Sequence, residues 1–248
     1  MKCQKMTIKE AESRCQNYIV QMKLDGTRTI WEKGNLISPE RDIFKSDRYR
    51  HIANELKGFN GVLDGEIFLP NGNLFAVSSS ENWNKCRYAV FDILEYDGQN
   101  LRGIPYQDRR KLLIALIQAR NWKSIEFVKE FPSVSEGWDF VKSQDLEGLV
   151  LKSPEGSYTD TRSWNWVKVK NYHEAVIEIL EHIAGSDKGR FVLANGGKMS
   201  ALSPDFVEQY KKLKAKGKVF AEIEYLYLTK EKKYFQPILK RLRGGLNE

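Results

Sequence analysis

The sequence predicts an α+β protein in two domains, the first of largely antiparallel sheets with a few helices and the second a small β-barrel. Three observations predict this. Apolar runs of strand length recur along the chain, and only a few separate helical segments interrupt them, unlike a regular βαβ alternation. After Asn171-Tyr172 the pattern changes to about five short strands and one helix, the make-up of a small barrel. At 248 residues the chain is long enough for one or two domains with real cores.

Each element has a local reason. Thr7 with Glu10 three residues on is a capping-box pattern, predicting a helix over 7–17. Strands follow over 18–24 and 27–32, then 36–38 beyond a turn at Gly34-Asn35. Residues 45–57 read as a helix. GVLDGEIFL (61–69) reads as a strand turned back by Pro70-Asn71-Gly72-Asn73. RYAVFDIL (87–94) is apolar enough for a buried strand, and 106–119 make an amphipathic helix with Leu112, Leu113, Leu116 and Ile117 inward. A strand over 124–129, a helix over 134–143 and strands over 147–152 and 164–170 complete a first domain, 1–170. The second, 171–248, carries strands over 174–183, 189–194, 198–202, 218–228 and 234–242 and a helix over 204–216, as expected of an OB-fold.

Composition narrows the function classes. Lys plus Arg number 40 against 33 Asp plus Glu, a net charge of +7 that suits a partner made of phosphates and equally suits plain solubility. Residues 171–248 hold 14 Lys plus Arg and 10 Asp plus Glu, so the smaller part carries over half of the surplus. Its basic run YKKLKAKGK (210–218) is either a solvated helix face or a nucleic-acid contact. Cys3, Cys15 and Cys86 make no CxxC pair and are odd in number, which fits reduced thiols in a cytoplasmic protein. The three histidines lack ligand spacing. No apolar run approaches the roughly 18 residues of a membrane span, and the polar start has no secretory apolar region.

Five short runs, all before residue 171, put charge at strand ends. In YIVQMKLDGTR, Lys23, Asp25 and Arg28 follow an apolar strand; Asp25-Gly26 is also what a hairpin turn looks like. Asp64-Gly65-Glu66 lies within apolar neighbours, where a carboxylate is costly unless paired or bound to metal, although it too reads as an edge turn. Phe91-Asp92 sits in a strand, where a lone Phe is ordinarily core. EGLVLK brackets apolar residues between Glu147 and Lys152. In WVKVK, strand alternation aims Lys168 and Lys170 at one face with Trp166, and two such lysines repel unless an anion lies between them. Together the runs supply an amine, phosphate-binding cations, carboxylates for Mg²⁺ and an aromatic ring for a base, the groups needed for attack on a nucleoside triphosphate. Free lysine is protonated, with a pKa near 10.4, so nearby Mg²⁺ and the cations Lys168 and Lys170 are expected to favour the neutral amine of Lys23.

Taken in order, KLDGTR, LDGEIF, YAVFDIL, EGLVLK and WVKVK resemble the five runs of the covalent nucleotidyltransferases, most closely the small ATP-dependent DNA ligases of viral and bacterial type. The resemblance implies an adenylation domain followed by an OB-fold domain, ATP and Mg²⁺ as cofactors, and nicked duplex DNA as partner of a monomer. It implies three steps: Lys23 attacks the α-phosphate of ATP and becomes lysyl-AMP, AMP passes to the 5′-phosphate at a nick, and the 3′-hydroxyl displaces AMP. Carried over residue by residue, Lys23 is the nucleophile and Arg28 contacts the sugar-phosphate. Glu66 touches ribose or metal, Phe91 stacks on adenine, and Glu147 binds metal. Lys152, Lys168 and Lys170 hold phosphates, and Arg41, in SPERDIF, grips the nick 5′-phosphate.

The chain also departs from that pattern. Many members carry Glu two residues before the lysine; here it is Gln21, whose amide oxygen can still face the adenine amino group. SPERD replaces a more usual Ser-Arg pair. QPILKRLRGG ends the chain with Arg241 and Arg243 in place of an Arg-x-Asp-Lys run, leaving open which group orients pyrophosphate. A nucleophile at position 23 implies no preceding DNA-binding domain. Rival readings are an RNA ligase, which shares the chemistry but carries a different C-terminal domain, a capping guanylyltransferase, which EGLVLK and WVKVK argue against, and a non-catalytic nucleic-acid-binding module.

Overall fold

The computed structural model describes residues 2–44, 47–185 and 188–245. The chain divides into two compact units, Met1–Lys170 and Asn171–Glu248.

Unit 1 contains two sheets. The first has the order β1 (Lys2–Lys5), β11 (Arg162–Lys170), β10 (Gly148–Lys152), β2 (Ile19–Lys23), β9 (Glu130–Phe131). The second runs β4 (Asn35–Ile37), β3 (Thr27–Glu32), β5 (Gly61–Phe68), β6 (Arg87–Tyr96), β7 (Gln99–Asn100), with β8 (Ile125–Phe127) also on β6. The pairing is antiparallel except at β1–β11 and β6–β8. The helices are α1 (Ile8–Arg14), α2 (Arg50–Glu55), α3 (Leu74–Ser78), α4 (Tyr106–Arg120) and α5 (Val134–Ser143), with a 3-10 turn at Ser80–Lys85. Thr7 caps α1 in a full capping box.

β2 and β3 belong to different sheets, so Asp25-Gly26 is not a hairpin turn but the passage from one sheet to the other. A Cβ on Gly26 would lie 2.2 Å from the Ile67 carbonyl oxygen, so only glycine lets the passage hug β5. Asp64-Gly65 is likewise no turn, since it lies mid-strand in β5 between β3 and β6. One core, with Trp31, Leu56, Leu63, Ile67, Ile93 and Leu113, lies under the second sheet; another, with Val20, Val141, Leu149 and Val167, lies under the first. On α4, Leu113 is buried while Leu112, Leu116 and Ile117 pack partly buried against the first of these cores.

Several elements differ from expectation. β1 is extra: its residues are polar, and it forms by pairing in parallel with β11, a non-local reason that no local pattern carries. The helix read over 45–57 is confined to Arg50–Glu55, and Lys45 and Ser46 lie outside the described residues. After 70–73 come α3 and the 3-10 turn, with Asn73 capping α3 through Ala76 N–H. The strand read over 124–129 is confined to β8, and β9, on the other sheet, follows just beyond it.

Unit 2 is an antiparallel sheet in the order β14 (Lys198–Ser200), β13 (Arg190–Leu193), β12 (His173–Ile183), β15 (Val219–Tyr225), β16 (Ile238–Arg243), with one helix, α6 (Pro204–Lys214), capped by Ser203. Phe191, Leu193, Tyr210, Ile223 and Leu242 belong to its core. Apart from β12, the strands are shorter than read from sequence: β15 ends at Tyr225, and an isolated bridge, Leu228 to Tyr234, follows before β16.

Candidate active site

A cavity of about 420 Å³ in unit 1 is lined by residues of both sheets, among them Gln21, Lys23, Arg28, Glu66, Phe91, Lys152, Trp166 and Lys168. The strand ends explain the gathering. β10 pairs with β2 on one side and β11 on the other, so Gly148 stands opposite both Lys23 and Lys170. Glu147, one residue earlier, is thereby set between the two lysines. Its Oε2 accepts from Lys23 Nζ at 2.6 Å, and its Oε1 lies 3.1 Å from Lys170 Nζ. Glu147 is the anion that lets Lys170 stand close to Lys23.

Among the protein's own groups the balance at Lys23 favours the charged amine, the opposite of what is expected beside Mg²⁺. Burial pushes the Lys23 amine down, but Glu147 and then Glu66 more than offset this, and its pKa rises. Lys168 does titrate low, through burial first and then the cations Lys170 and Lys23 among its neighbours. Glu66 is pushed up to about 8, by burial first; the cations Lys23 and Arg28 pull it down, and the carboxylates Glu147 and Asp64 push it up. A pair of carboxylates beside a cavity, one of them pushed up chiefly by burial, fits a magnesium ion, which takes one or two protein carboxylates and completes its shell with phosphate and water oxygens. Among the described residues no cluster of three or more acidic, His or Cys ligands forms a closed protein site.

Arg28 is engaged from below. Its guanidinium makes two hydrogen bonds to the fully buried Asp64, at 3.1 and 2.7 Å, and one to Tyr158 Oη at 3.1 Å. Tyr158 Oη in turn donates to Asp64 at 2.8 Å. Phe91 meets Trp166 edge-to-face, 5.5 Å between ring centres. Asp92, the next residue, forms a buried bidentate pair with Arg109 that ties β6 to α4, so the side chains of α4 have fixed positions behind Phe91.

Lys152, expected to hold phosphates, lines the cavity and is tied to its wall. It is 1% exposed, and Nζ donates to the Phe91 carbonyl at 2.8 Å and to Tyr106 Oη at 3.3 Å. The rings of Phe91, Tyr106 and Trp166 enclose it, with Nζ 3.9 Å from the Trp166 ring centre. Burial in that cage drops its pKa to about 7. Two of its three N–H groups are thus engaged by the wall behind Phe91. Arg41 is not in the cavity lining; it sits at positive φ and is largely exposed, in an ion pair with Glu32. Asp25 accepts from the Leu74 N–H at the start of α3.

Cys3, Val128 and Arg162 also line the cavity and were not singled out from sequence. Arg162 begins β11 two residues before the strand's predicted start, so a truer boundary would have placed it on the WVKVK strand. Cys3 arrives with β1, for which no local signal exists. Glu130, Tyr106 and Arg110 lie behind the lining, and only the i, i+4 spacing of Tyr106 and Arg110 on α4 hints at them.

Comparison defines the class first. Over 98% of this chain and 100% of the other, the fold is similar to a solved structure of the Lig E DNA ligases, with a TM-score of 0.74 and 20% identity; the fold class is that of the small ATP-dependent DNA ligases. The sequence pattern described as ATP dependent DNA ligase domain matches residues 1–170, and the chain belongs to that family. It is 28% identical over 165 residues to the bifunctional non-homologous end joining protein LigD of Bacillus subtilis, which covers 56% of this chain and 26% of that protein. It is 27% identical over 177 residues to the SPbeta prophage-derived DNA ligase-like protein LigB of the same organism, covering 63% and 62%. The chain thus spans less than two thirds of either relative's length. No helix among the described residues is long and apolar enough to cross a membrane.

Proposed function

We propose that the protein is an ATP-dependent DNA ligase that seals nicks in duplex DNA through lysyl-AMP. The observation that carries this reading is the Lys23 amine, 2.6 Å from Glu147, in a cavity that also presents Phe91 and Gln21 for a base and Lys168 for phosphate. Lys23 Nζ gives up a proton, for which Glu147 Oε2 is the nearest acceptor. Its lone pair then forms the N–P bond as the bond to pyrophosphate breaks. AMP passes from Lys23 to a nick 5′-phosphate, regenerating the amine, and the 3′-hydroxyl then displaces AMP. Glu66 and Glu147 would hold a magnesium ion, whose charge offsets that of the phosphate oxygens. Phe91 stacks on adenine, and Arg28, steadied by Asp64 and Tyr158, faces the sugar-phosphate. Lys152, Lys168 and Lys170 carry the phosphate charge, with Lys152 also tied to the wall behind Phe91. Arg41, outside the cavity, is suited to a nick 5′-phosphate.

In this reading residues 1–170 are the adenylation domain, and 171–248 are an OB-fold that binds DNA, supported by the five-stranded antiparallel sheet with its single helix. The enzyme works as a monomer in the cytoplasm, where its three free cysteines suit a reducing milieu. The test is intact mass after incubation with ATP and magnesium, on protein first stripped with pyrophosphate. Wild type gains one adenylate and Lys23→Ala gains none; an adduct on Lys23→Ala would remove Lys23 from the role, and no adduct on wild type would remove the reading.

A further inference from the structure

The amide of Gln21 stands at the cavity wall and is 1% exposed. Its Nε2 has two hydrogens, and both are used. One goes to Glu130 Oε1 at 3.0 Å and the other to Tyr106 Oη at 2.7 Å. Chemistry fixes this orientation independently of how an amide is drawn. Glu130 is a carboxylate held by Arg110, which donates from Nε at 2.7 Å and also from a terminal nitrogen, so it can only accept. Tyr106 Oη spends its own proton on the Phe91 carbonyl at 2.9 Å, so toward Gln21 it too can only accept. Turned the other way, the amide would set its oxygen against two acceptors. Gln21 Oε1 is therefore left over as an acceptor, and the described residues give it no partner. β2 and β9 hold Gln21 and Glu130 directly opposite each other.

We propose that Glu130, which does not line the cavity, sets the base selectivity of the site by locking the Gln21 amide with its oxygen toward the base. The locked acceptor favours a ring bearing an exocyclic amine, as in adenine, over one bearing a carbonyl at that place, as in hypoxanthine or guanine. This deepens the ligase reading and rests on it. The same chain of contacts runs through Tyr106 to the Phe91 carbonyl, so the polar edge and the stacking face of the site are aligned together.

Lysyl-AMP and lysyl-IMP formation, measured with ATP and with ITP, tests this on the full chain. In Glu130→Gln the residue opposite Gln21 offers either an oxygen or an NH₂, so only Tyr106 still holds the amide and the lock is weakened. The expected result is an ATP:ITP ratio of kcat/KM lowered at least tenfold, carried by a higher KM for ATP with kcat nearly kept. Gln21→Glu alone sets two carboxylates face to face and weakens ATP use, whereas Gln21→Glu with Glu130→Gln restores the ratio, which a purely structural role for Glu130 would not do. Thermal melting checks that each variant is folded, and Glu130→Ala, which removes the carboxylate acceptor altogether, is expected to lower the ratio too if Glu130→Gln does not fold. An unchanged ratio in folded Glu130→Gln, or in Glu130→Ala in its stead, overturns the proposal while leaving the ligase reading intact; failure of wild type to form lysyl-AMP overturns the reading beneath it.

Discussion

At the scale of single residues, the cavity is organised by buried carboxylates and the cations set against them. Glu66 has a folded-state pKa of about 8 against an ordinary 4.5. Between those values the folded chain keeps a proton that the unfolded chain has released. Stability contributed by this group therefore falls as pH rises through that window, opposite to a salt-bridged carboxylate. Lys152, lowered to about 7 from 10.5, adds a rise only above about pH 7. Between about pH 5 and 7, melting temperatures of Glu66→Gln should decline less than those of wild type. Parallel curves for the two would show that Glu66 is already ionised there. The presence of carboxylates within apolar strands was legible in the local runs. That Lys152 turns to the wall was not, because its cage comes from β6, α4 and β11 at once.

Elements decide how close these groups come. Gly148 lies at φ +145 with its Cβ position 2.0 Å from the Val169 carbonyl oxygen, opposite Lys23 on one side and Lys170 on the other. Any side chain there would force β10 from β11 and draw Glu147 away from both lysines. Gly148→Ala is expected to cost roughly 2 kcal/mol or more in denaturant unfolding, because it combines a left-handed backbone with a clash that backbone cannot avoid. Its adenylation should drop further than its folded fraction does. A variant of near wild-type stability and activity would mean that β10 and β11 can part without loss. The motif EGLVLK announces this glycine, but only the two strand registers explain why it follows the glutamate.

On the scale of the whole molecule, charge and fold divide the labour. The 78 residues from Asn171 carry over half of the net +7, and several of their lysines are exposed along α6 and the segment after it. If this unit meets DNA phosphates, nick affinity should fall steeply with salt, by about 0.9 in the log–log slope for each phosphate neutralised. Titrating a labelled nicked duplex from low to moderate salt measures it. A flat response would exclude this basic surface as the DNA partner.

What the amino-acid sequence by itself determined is the set of chemical groups and their strands: alternation, turn residues and capping pairs are local, and so are the five charged runs that mark the family. Only the tertiary structure decided which groups face the cavity and which face one another. Asp25-Gly26 joins two sheets instead of closing a hairpin, Glu147 bridges Lys23 and Lys170, and Glu130 orients Gln21. The physical reason is that pairing across strands brings together residues 109 to 124 positions apart, and the burial and charge that set their protonation exist only once those strands have paired.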